Sequence, residues 1–140
     1  MLFRSSSVVV AEATNKFALD LHKCLVDGNQ FANNNLFYSP ASLLIALAMT
    51  SFGARGNTAT QIMKVLHVAS VSSPDLNKSM KKFIDTLNGA SDEKNKLLTA
   101  NRLFVVKSFE TLEAFKEGTR EFYDAEIGRA SCRERVSSPV

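Results

Sequence analysis

Apolar residues recur at helical spacing along most of the chain, a pattern typical of helices that bury one face. The pattern first predicts a helix over residues 8–26, for which Ser5 to Ser7 can supply the amino-terminal cap. The polar run Asp27-Gly28-Asn29 ends this helix. Its predicted inward positions are Val10, Phe17, Leu21, Cys24 and Leu25.

A second helix is predicted to begin at Ser39-Pro40. The Ser39 hydroxyl can accept a hydrogen bond from a free amide of the first turn, and Pro40 lacks an amide proton that its position would leave unused. Residues 43–49 are apolar on every side, and Gly53 ends the helix. Because a helix without a polar face is buried all round, it requires further layers of structure around it.

Capping signals mark the next two helices. Thr58 and Gln61 form a T-x-x-Q capping box at the start of a helix over residues 59–66. The pair Ser73-Pro74 opens the fourth helix, and Gly89 closes it. The apolar stripe of the fourth helix consists of Leu76, Met80, Phe83, Ile84 and Leu87.

One long strand is predicted over residues 96–107, and residues 36–38 form a very short second candidate. Both faces of the long strand are mostly apolar, so we expect it to be covered on both sides. A fifth helix follows a Thr111 cap, with inward positions Leu112, Phe115, Phe122 and Tyr123. Because one strand and a stub cannot form a stable sheet, the pattern indicates an incomplete domain of the α+β class.

The composition is that of a globular domain, since 45% of the 140 residues are apolar and 22% are charged. No apolar run reaches the roughly 18 residues that a membrane helix needs. Ser5 to Ser7 interrupt the apolar stretch that a cleavable signal would require. We therefore expect either an intracellular protein or a chain whose true start is missing.

Much of the net charge of +3 comes from the last thirteen residues. Without residues 128–140, Lys plus Arg falls from 17 to 14 and Asp plus Glu from 14 to 13, which leaves +1. Residues 127–136 resemble the translation of a common sequencing-adapter oligonucleotide. We interpret 8–127 as part of a domain and 128–140 as a non-native tail, with a natural basic extension as the alternative. Cys132 then carries no function, and Cys24 alone makes no disulfide framework.

No pattern in the sequence supports catalysis. His22 and Cys24 are two positions apart on a helix and point to different faces, and His67 stands alone near a helix end. The sequence has no His, Cys and carboxylate cluster at metal-ligand spacing, no phosphate loop and no nucleophile elbow. The chain is therefore predicted not to be an enzyme and to use neither a metal nor a cofactor.

Two signals concern the fourth helix. Lys78, Lys81 and Lys82 lie on its polar side, which is either a solvated face or a binding site for a sulfated polysaccharide or another polyanion. Asp85 lies at neighbour spacing from Lys81 and Lys82, so we expect any such binding to be weak. The run Asn77-Lys78-Ser79 also has the pattern of an N-glycosylation acceptor, which matters only in a secreted protein.

The most specific signal lies between Asn35 and Ile62. This stretch contains Asn35-Leu36-Phe37-Tyr38-Ser39-Pro40-Ala41-Ser42-Leu43 and, later, Gly53-Ala54-Arg55-Gly56-Asn57-Thr58, and it resembles the early core motif of the serpin family. Residues 99–104 resemble the second strand of that family's large central sheet, and residues 122–127 resemble the approach to the next strand. The resemblance covers about Thr14 to Ile127. Residues 17–21 are most similar to the ovalbumin-like branch.

The resemblance implies a serpin-like fold, in which the five helices are helices A to E of the family. It implies an inhibitor of serine or cysteine proteases whose exposed reactive loop, once cleaved, inserts into the central sheet as an extra strand. That loop and the rest of the sheet are absent from the chain. The alternative is a non-inhibitory serpin that acts as a carrier or chaperone. The all-apolar second helix argues against a third reading, an independent helical interaction module.

By the same resemblance, Ser39, Ser42 and Asn101 match the shutter, the region under the sheet that parts when the loop enters. Short hydroxyl and amide side chains can exchange hydrogen bonds between two packings. Ser39 and Ser42 are equally well explained as residues of a helix start. The expected partners are a target protease and, weakly, a glycosaminoglycan, with neither nucleic acid nor membrane. The extracellular space is the family's default location, and the cytoplasm is the alternative.

Overall fold

The computed structural model describes residues 6–27, 35–89, 101–106 and 108–130. Within these ranges, helices dominate and two short strands lie near the carboxyl-terminal end. The elements follow in the order α1 (Ser6–Asp27), α2 (Pro40–Gly53), α3 (Gly56–Val65), α4 (Ser73–Gly89), β1 (Arg102–Val106), α5 (Glu113–Tyr123) and β2 (Glu126–Ala130). All five predicted helices are therefore present, with ends that differ by a few residues.

The core lies where α1, α2 and α4 meet, and α5 packs against both α2 and α4. The predicted stripe of α4 is confirmed, since Leu76, Met80 and Ile84 are fully buried and Phe83 and Leu87 pack at the edge of the core. The other fully buried apolar residues are Val10, Ala13, Phe17, Leu44, Ile45, Ala48, Met49, Leu66, Val68, Tyr123 and Ala125.

Helix α2 starts and ends where the sequence predicts. Ser39 is its N-cap and Pro40 its first residue, and the last residue is Gly53. Its apolar character exceeds what the described part of the chain can cover, because Leu43 is 42% exposed. The prediction that α2 is buried all round is therefore not met in the described part of the chain, where its buried residues are Leu44, Ile45, Ala48, Met49 and Ser51.

Helices α2 and α5 meet through aromatic rings. Phe52 stacks on Phe115 with ring centroids 5.8 Å apart, and it meets the Phe122 ring edge-on at 6.1 Å. Gly118 of α5 makes this approach feasible, because a Cβ atom built there would lie 2.2 Å from Cζ of Phe52. Alanine at position 118 would therefore force the ring of Phe52 out of its place.

The predicted starts of α3 and α5 are wrong in detail, whereas the predicted start of α4 at Ser73 is confirmed and only its capping residue differs. Helix α3 begins at Gly56, whose positive φ of 58° suits glycine, and Arg55 precedes it without a side-chain cap. Thr58 therefore lies inside the helix, and no capping box with Gln61 forms. Helix α4 is capped by Ser72, whose hydroxyl accepts from the Asp75 amide and donates to the Asp75 carboxylate.

The start of α5 also differs from the prediction. Leu112 occupies the cap position and makes no side-chain cap bond, so Thr111 is not the cap. Leu112, predicted to face inward, is 79% exposed. The helix instead gains support in its first turn from Lys116, whose Nζ lies 2.8 Å from a carboxylate oxygen of Glu113.

Strands β1 and β2 pair in parallel, and α5 forms the crossover between them. The register runs from Arg102 opposite Glu126 to Val106 opposite Ala130, so the first three residues of the predicted tail, residues 128–130, pair with β1. Burial alternates along β1, with the two inward residues half-buried and the other face exposed. The expectation of cover on both faces is therefore wrong for this chain. Residues 96–100 of the predicted strand lie outside the described residues, and residues 36–38 do not form a strand.

We expect the isolated 140-residue chain to associate instead of remaining a stable monomer. Ten large apolar side chains are exposed among the described residues, and Phe37, Phe104, Phe109 and Leu112 are each more than 60% exposed. Clustered apolar surface of this kind drives association. Sedimentation velocity should show oligomers, and polar replacements such as Phe104→Thr should reduce them. A monodisperse monomer with a sharp thermal transition would contradict this expectation.

Candidate functional site

Ser39 and Ser42, two of the three predicted shutter residues, are hydrogen-bonded to each other. Ser39 has extended backbone just before α2, and its Oγ accepts from the Ser42 amide at 3.3 Å. The same oxygen accepts from the Ser42 hydroxyl at 3.1 Å. Because a hydroxyl offers one donor and two acceptor sites, Ser39 retains its own proton for another acceptor. The pair therefore caps α2, and within the described residues the Ser39 proton has no acceptor.

Asn101, the third predicted shutter residue, is not hydrogen-bonded to the serine pair within the described structure. It directly precedes β1 and is half-buried. The hydrogen bonds among the described residues do not join Asn101 to Ser39 or Ser42. The structure thus brings together two of the three residues and places the third at the start of a strand.

The three lysines of α4 are all exposed on its outer side. Lys81 Nζ lies 3.9 Å from a carboxylate oxygen of Asp85, one helical turn further on. Lys78 and Lys82 form no ion pair with any described residue. An exposed ion pair at this distance contributes little to stability and only weakly offsets the charge of Lys81. The site therefore consists of two lysines that are unpaired among the described residues and one that is weakly paired.

The acceptor pattern at Asn77 lies on the buried side of α4. Asn77 is 5% exposed and Ser79 is 6% exposed. The hydroxyl of Tyr123, the last residue of α5, donates to Oδ1 of Asn77 at 2.7 Å. Burial raises the pKa of Tyr123, so the phenol keeps its proton and remains a donor. Asn77 is therefore an interior residue that joins α4 to α5.

Both histidines connect α1 to another segment. His22 Nδ1 lies 3.2 Å from the Tyr38 hydroxyl, and His67 Nε2 lies 2.8 Å from a carboxylate oxygen of Asp20. Cys24, predicted to face inward, is exposed. In the described ranges, no three His, Cys, Asp or Glu side chains are grouped so as to hold a metal. The histidine contacts are structural, and they link parts of the chain that are distant in sequence.

The described helices also include none with both the length and the apolar character to cross a membrane.

The bond between Asn77 and Tyr123 was not predicted from the sequence. A signal was present for Asn77, because it precedes Met80 by three positions and Ile84 by seven and so shares their helix face. Its partner could not be identified by spacing, since Tyr123 is 46 residues away.

Comparison with known proteins matches residues 12–138 to the family described as Serpin (serine protease inhibitor). Serpin B6 of Pongo abelii is 40% identical over 120 residues, which cover 85% of this chain and 31% of that protein. The leukocyte elastase inhibitor of Xenopus tropicalis is 38% identical over 123 residues, with 85% of this chain and 30% of that protein covered. The chain therefore spans less than a third of the length of these curated relatives.

Solved structures show the same fold. Human thyroxine-binding globulin in complex with thyroxine superposes with a TM-score of 0.80 at 24% identity, covering 90% of this chain and 34% of that one. Cleaved kallistatin in complex with heparin gives a TM-score of 0.70 at 24% identity, covering 89% and 36%. The helices and the parallel strand pair of this chain are thus arranged as in larger proteins of known structure.

Proposed function

This chain belongs to the serpin family, and on that premise we propose that it is the amino-terminal part of a suicide-substrate inhibitor of a serine or cysteine protease. The observation that carries the proposal is the 38% identity with a leukocyte elastase inhibitor. Serpins are protease inhibitors and not enzymes, which agrees with a sequence that offers no catalytic constellation. Similarity to Serpin B6 supports the ovalbumin-like branch.

The mechanism would depend on a sheet that can accept a new strand. In the proposed full-length protein, β1 and β2 belong to the central sheet, and the cleaved reactive loop adds to that sheet. The loop lies outside this chain, so the bait residue and the target belong to the missing part. What this chain supplies is two strands and the helices on which they rest.

We propose that Ser39, Ser42 and Asn101 act as shutter residues in that protein. Ser39 already accepts two hydrogen bonds and retains a free donor. A strand that moves over the start of α2 can therefore exchange bonds with the serine pair without a large change in volume. Asn101 at the start of β1 would supply the amide that moves with the sheet.

A non-inhibitory carrier is the second candidate. The structural similarity to thyroxine-binding globulin in complex with thyroxine supports it, although at 24% identity this similarity concerns the fold. The hinge of the reactive loop separates the two candidates, because small hinge residues favour insertion and bulky or charged residues oppose it. The location is either the extracellular space, the family's default, or the cytoplasm.

The inhibitory proposal predicts a covalent complex with a protease. The full-length protein, expressed from the complete transcript, is incubated with elastase-, trypsin-, chymotrypsin- and papain-like proteases and run on denaturing gels. A band at the summed mass that resists detergent is expected with at least one of them. The isolated 140-residue chain is the matched control and should form none, because it lacks the loop. Cleavage without a complex across the whole panel would contradict inhibition and favour the carrier.

Replacing Ser39 with phenylalanine should loosen the central sheet of the full-length protein. The change removes a helix cap, which costs about 1 kcal/mol. Ser39 is exposed in this chain, so a further cost of roughly 1–3 kcal/mol from overpacking arises only where the proposed central sheet covers the start of α2. Latent or polymeric forms should rise on mild heating, as measured on native gels. Ser39→Ala is the control, because it removes the cap without added volume. Equal polymerisation of Ser39→Phe and the wild type would refute the shutter assignment.

We propose that Lys78, Lys81 and Lys82 bind glycosaminoglycan only weakly. The heparin complex of kallistatin makes the ligand reasonable for this fold, but Asp85 compensates one of the three charges. Elution of the full-length protein from a heparin column is expected below physiological salt, where the screening length is about 8 Å. Arg129, Arg133 and Arg135, which would imitate a site, should be replaced by Ser in this experiment, because a deletion of residues 128–140 would remove part of β2. Elution well above that salt, lost on replacing the three lysines but not Lys64, would show a dedicated site.

A further inference from the structure

A groove lies between α1 and α3, which both pack on α2. Its volume is about 640 Å³, within the range of small-molecule sites in proteins. Phe17 and Leu21 line it from α1, and Val65, the last residue of α3, lines it from the other side. Phe17 is buried, Leu21 is half-buried and Val65 is 56% exposed. The groove therefore presents an apolar wall that continues from the core out to solvent.

Polar side chains also line the groove, which distinguishes it from the other exposed apolar surfaces of the chain. Asp20, Lys64 and His67 belong to its lining, and all three are exposed. The exposed face of β1, with Phe104 and Val106, is the kind of surface that a longer protein covers. Covering the groove in the same way would bury the Lys64 charge without a partner, at a large cost. We therefore expect the groove to remain at the surface of the full-length protein.

A bond between its two sides sets the shape of the groove. His67 follows the end of α3 with a φ of 57°, a left-handed conformation that is uncommon for a residue with a side chain. Its Nε2 lies 2.8 Å from a carboxylate oxygen of Asp20 on α1. Because a carboxylate only accepts, this nitrogen carries the proton and donates. The bond ties the end of α3 to α1, so the groove is formed before any ligand binds, as ligand sites usually are.

Lys64 supplies a positive charge that the described structure does not pair. The Asp20 carboxylate is engaged by His67, and Lys64 forms no ion pair with any described residue. One compact ammonium group beside an apolar wall is complementary to a ligand with a single anionic group and an apolar body. A sulfated polysaccharide does not match, because it carries many charges and no apolar body. The chemistry of the groove thus favours an amphiphilic monoanion.

We propose that this groove binds a long-chain carboxylate, that is, a fatty acid. Its carboxylate pairs with Lys64, and its chain lies against Phe17, Leu21 and Val65. The site uses neither the strand pair nor the reactive loop, so the inference does not depend on the proposed inhibitory function. Cys24 lines the same groove and is exposed, and a bound chain should therefore shield its thiol from reagents.

The test measures the binding of decanoate to the full-length protein by isothermal titration calorimetry, below the concentration at which decanoate forms micelles. Decanol keeps the chain without the charge, and butyrate keeps the charge without the long chain. The rate at which iodoacetamide alkylates Cys24, followed by mass spectrometry of its peptide, reports whether the ligand lies in the groove. Lys64→Met removes the charge and Lys64→Arg keeps it. Lys82→Met is the matched control, because Lys82 is an exposed lysine outside the groove.

We expect decanoate to bind at one site and to slow the alkylation of Cys24, and butyrate to do neither. Lys64→Met should weaken decanoate binding about tenfold, the effect of losing one charge-assisted hydrogen bond. Lys64→Arg should keep most of the affinity, and Lys82→Met should bind like the wild type. Decanol should bind more weakly than decanoate and equally to the wild type and Lys64→Met.

The unliganded variants should unfold at the wild-type temperature, because both lysines are exposed. A loss of affinity in Lys64→Met then reports a lost contact with the ligand and not a damaged fold. Equal decanoate affinity of Lys64→Met and the wild type would overturn the proposal. Absence of decanoate binding, or binding that leaves the alkylation rate of Cys24 unchanged, would overturn it too.

Discussion

The hydrogen bond from Tyr123 to Asn77 is the buried polar contact on which the seating of α5 against α4 depends, beside the aromatic packing of α5 on α2. It joins the end of α5 to the buried side of α4 at 2.7 Å, in a place where water cannot substitute for either partner. Since α5 is the crossover between β1 and β2, its position on α4 also positions the strand pair. Loss of the donor would leave a buried acceptor unpaired, a cost of about 1–3 kcal/mol.

Much of the fold could be predicted from periodicity and capping. The Ser39-Pro40 start of α2, the Gly53 end and the α4 stripe are all confirmed. The errors concern choices between neighbouring polar residues. Ser72 and not Ser73 is the cap, because Asp75 lies three residues after Ser72. Its amide donates to the Ser72 hydroxyl, and its carboxylate accepts the Ser72 proton. The S-x-x-D spacing from Ser72 to Asp75 was therefore a usable signal for the cap, and the Ser73-Pro74 pair beside it was the weaker one.

The sheet was harder to predict because its partners are distant along the chain. Apolar residues on both faces of the long strand indicate cover on both sides, yet the face that carries Phe104 and Val106 is exposed. The expectation follows from a complete domain, whereas this chain spans 31% of the length of its Serpin B6 relative. The apolar residues on both faces of the strand are therefore those expected in a longer protein, and in this chain one of the two faces remains exposed.

The sequence predicted the residues of the candidate site better than the contacts between them. Ser39 and Ser42 were identified by residue type and position, and their direct bond was not foreseen. Asn101 and the α4 lysines keep their predicted roles as proposals. Asn77 was considered only as a surface motif, although its spacing from Met80 and Ile84 places it on the buried face. For Asn77, the helical periodicity of α4 is a better guide to its position than the three-residue acceptor pattern.

The contact between Phe52 and Gly118 has a consequence for how related sequences can diverge. The ring fills the space that a Cβ atom at position 118 would need, with a separation of only 2.2 Å. A lineage that gains a side chain at 118 must either move the Phe52 ring from its stack on Phe115 or reduce the residue at 52, and in the second case the order of the two changes matters. Shrinking the ring first leaves a cavity, which a folded protein with some stability to spare can tolerate. Adding the methyl first creates a clash, so the permitted evolutionary path runs through position 52.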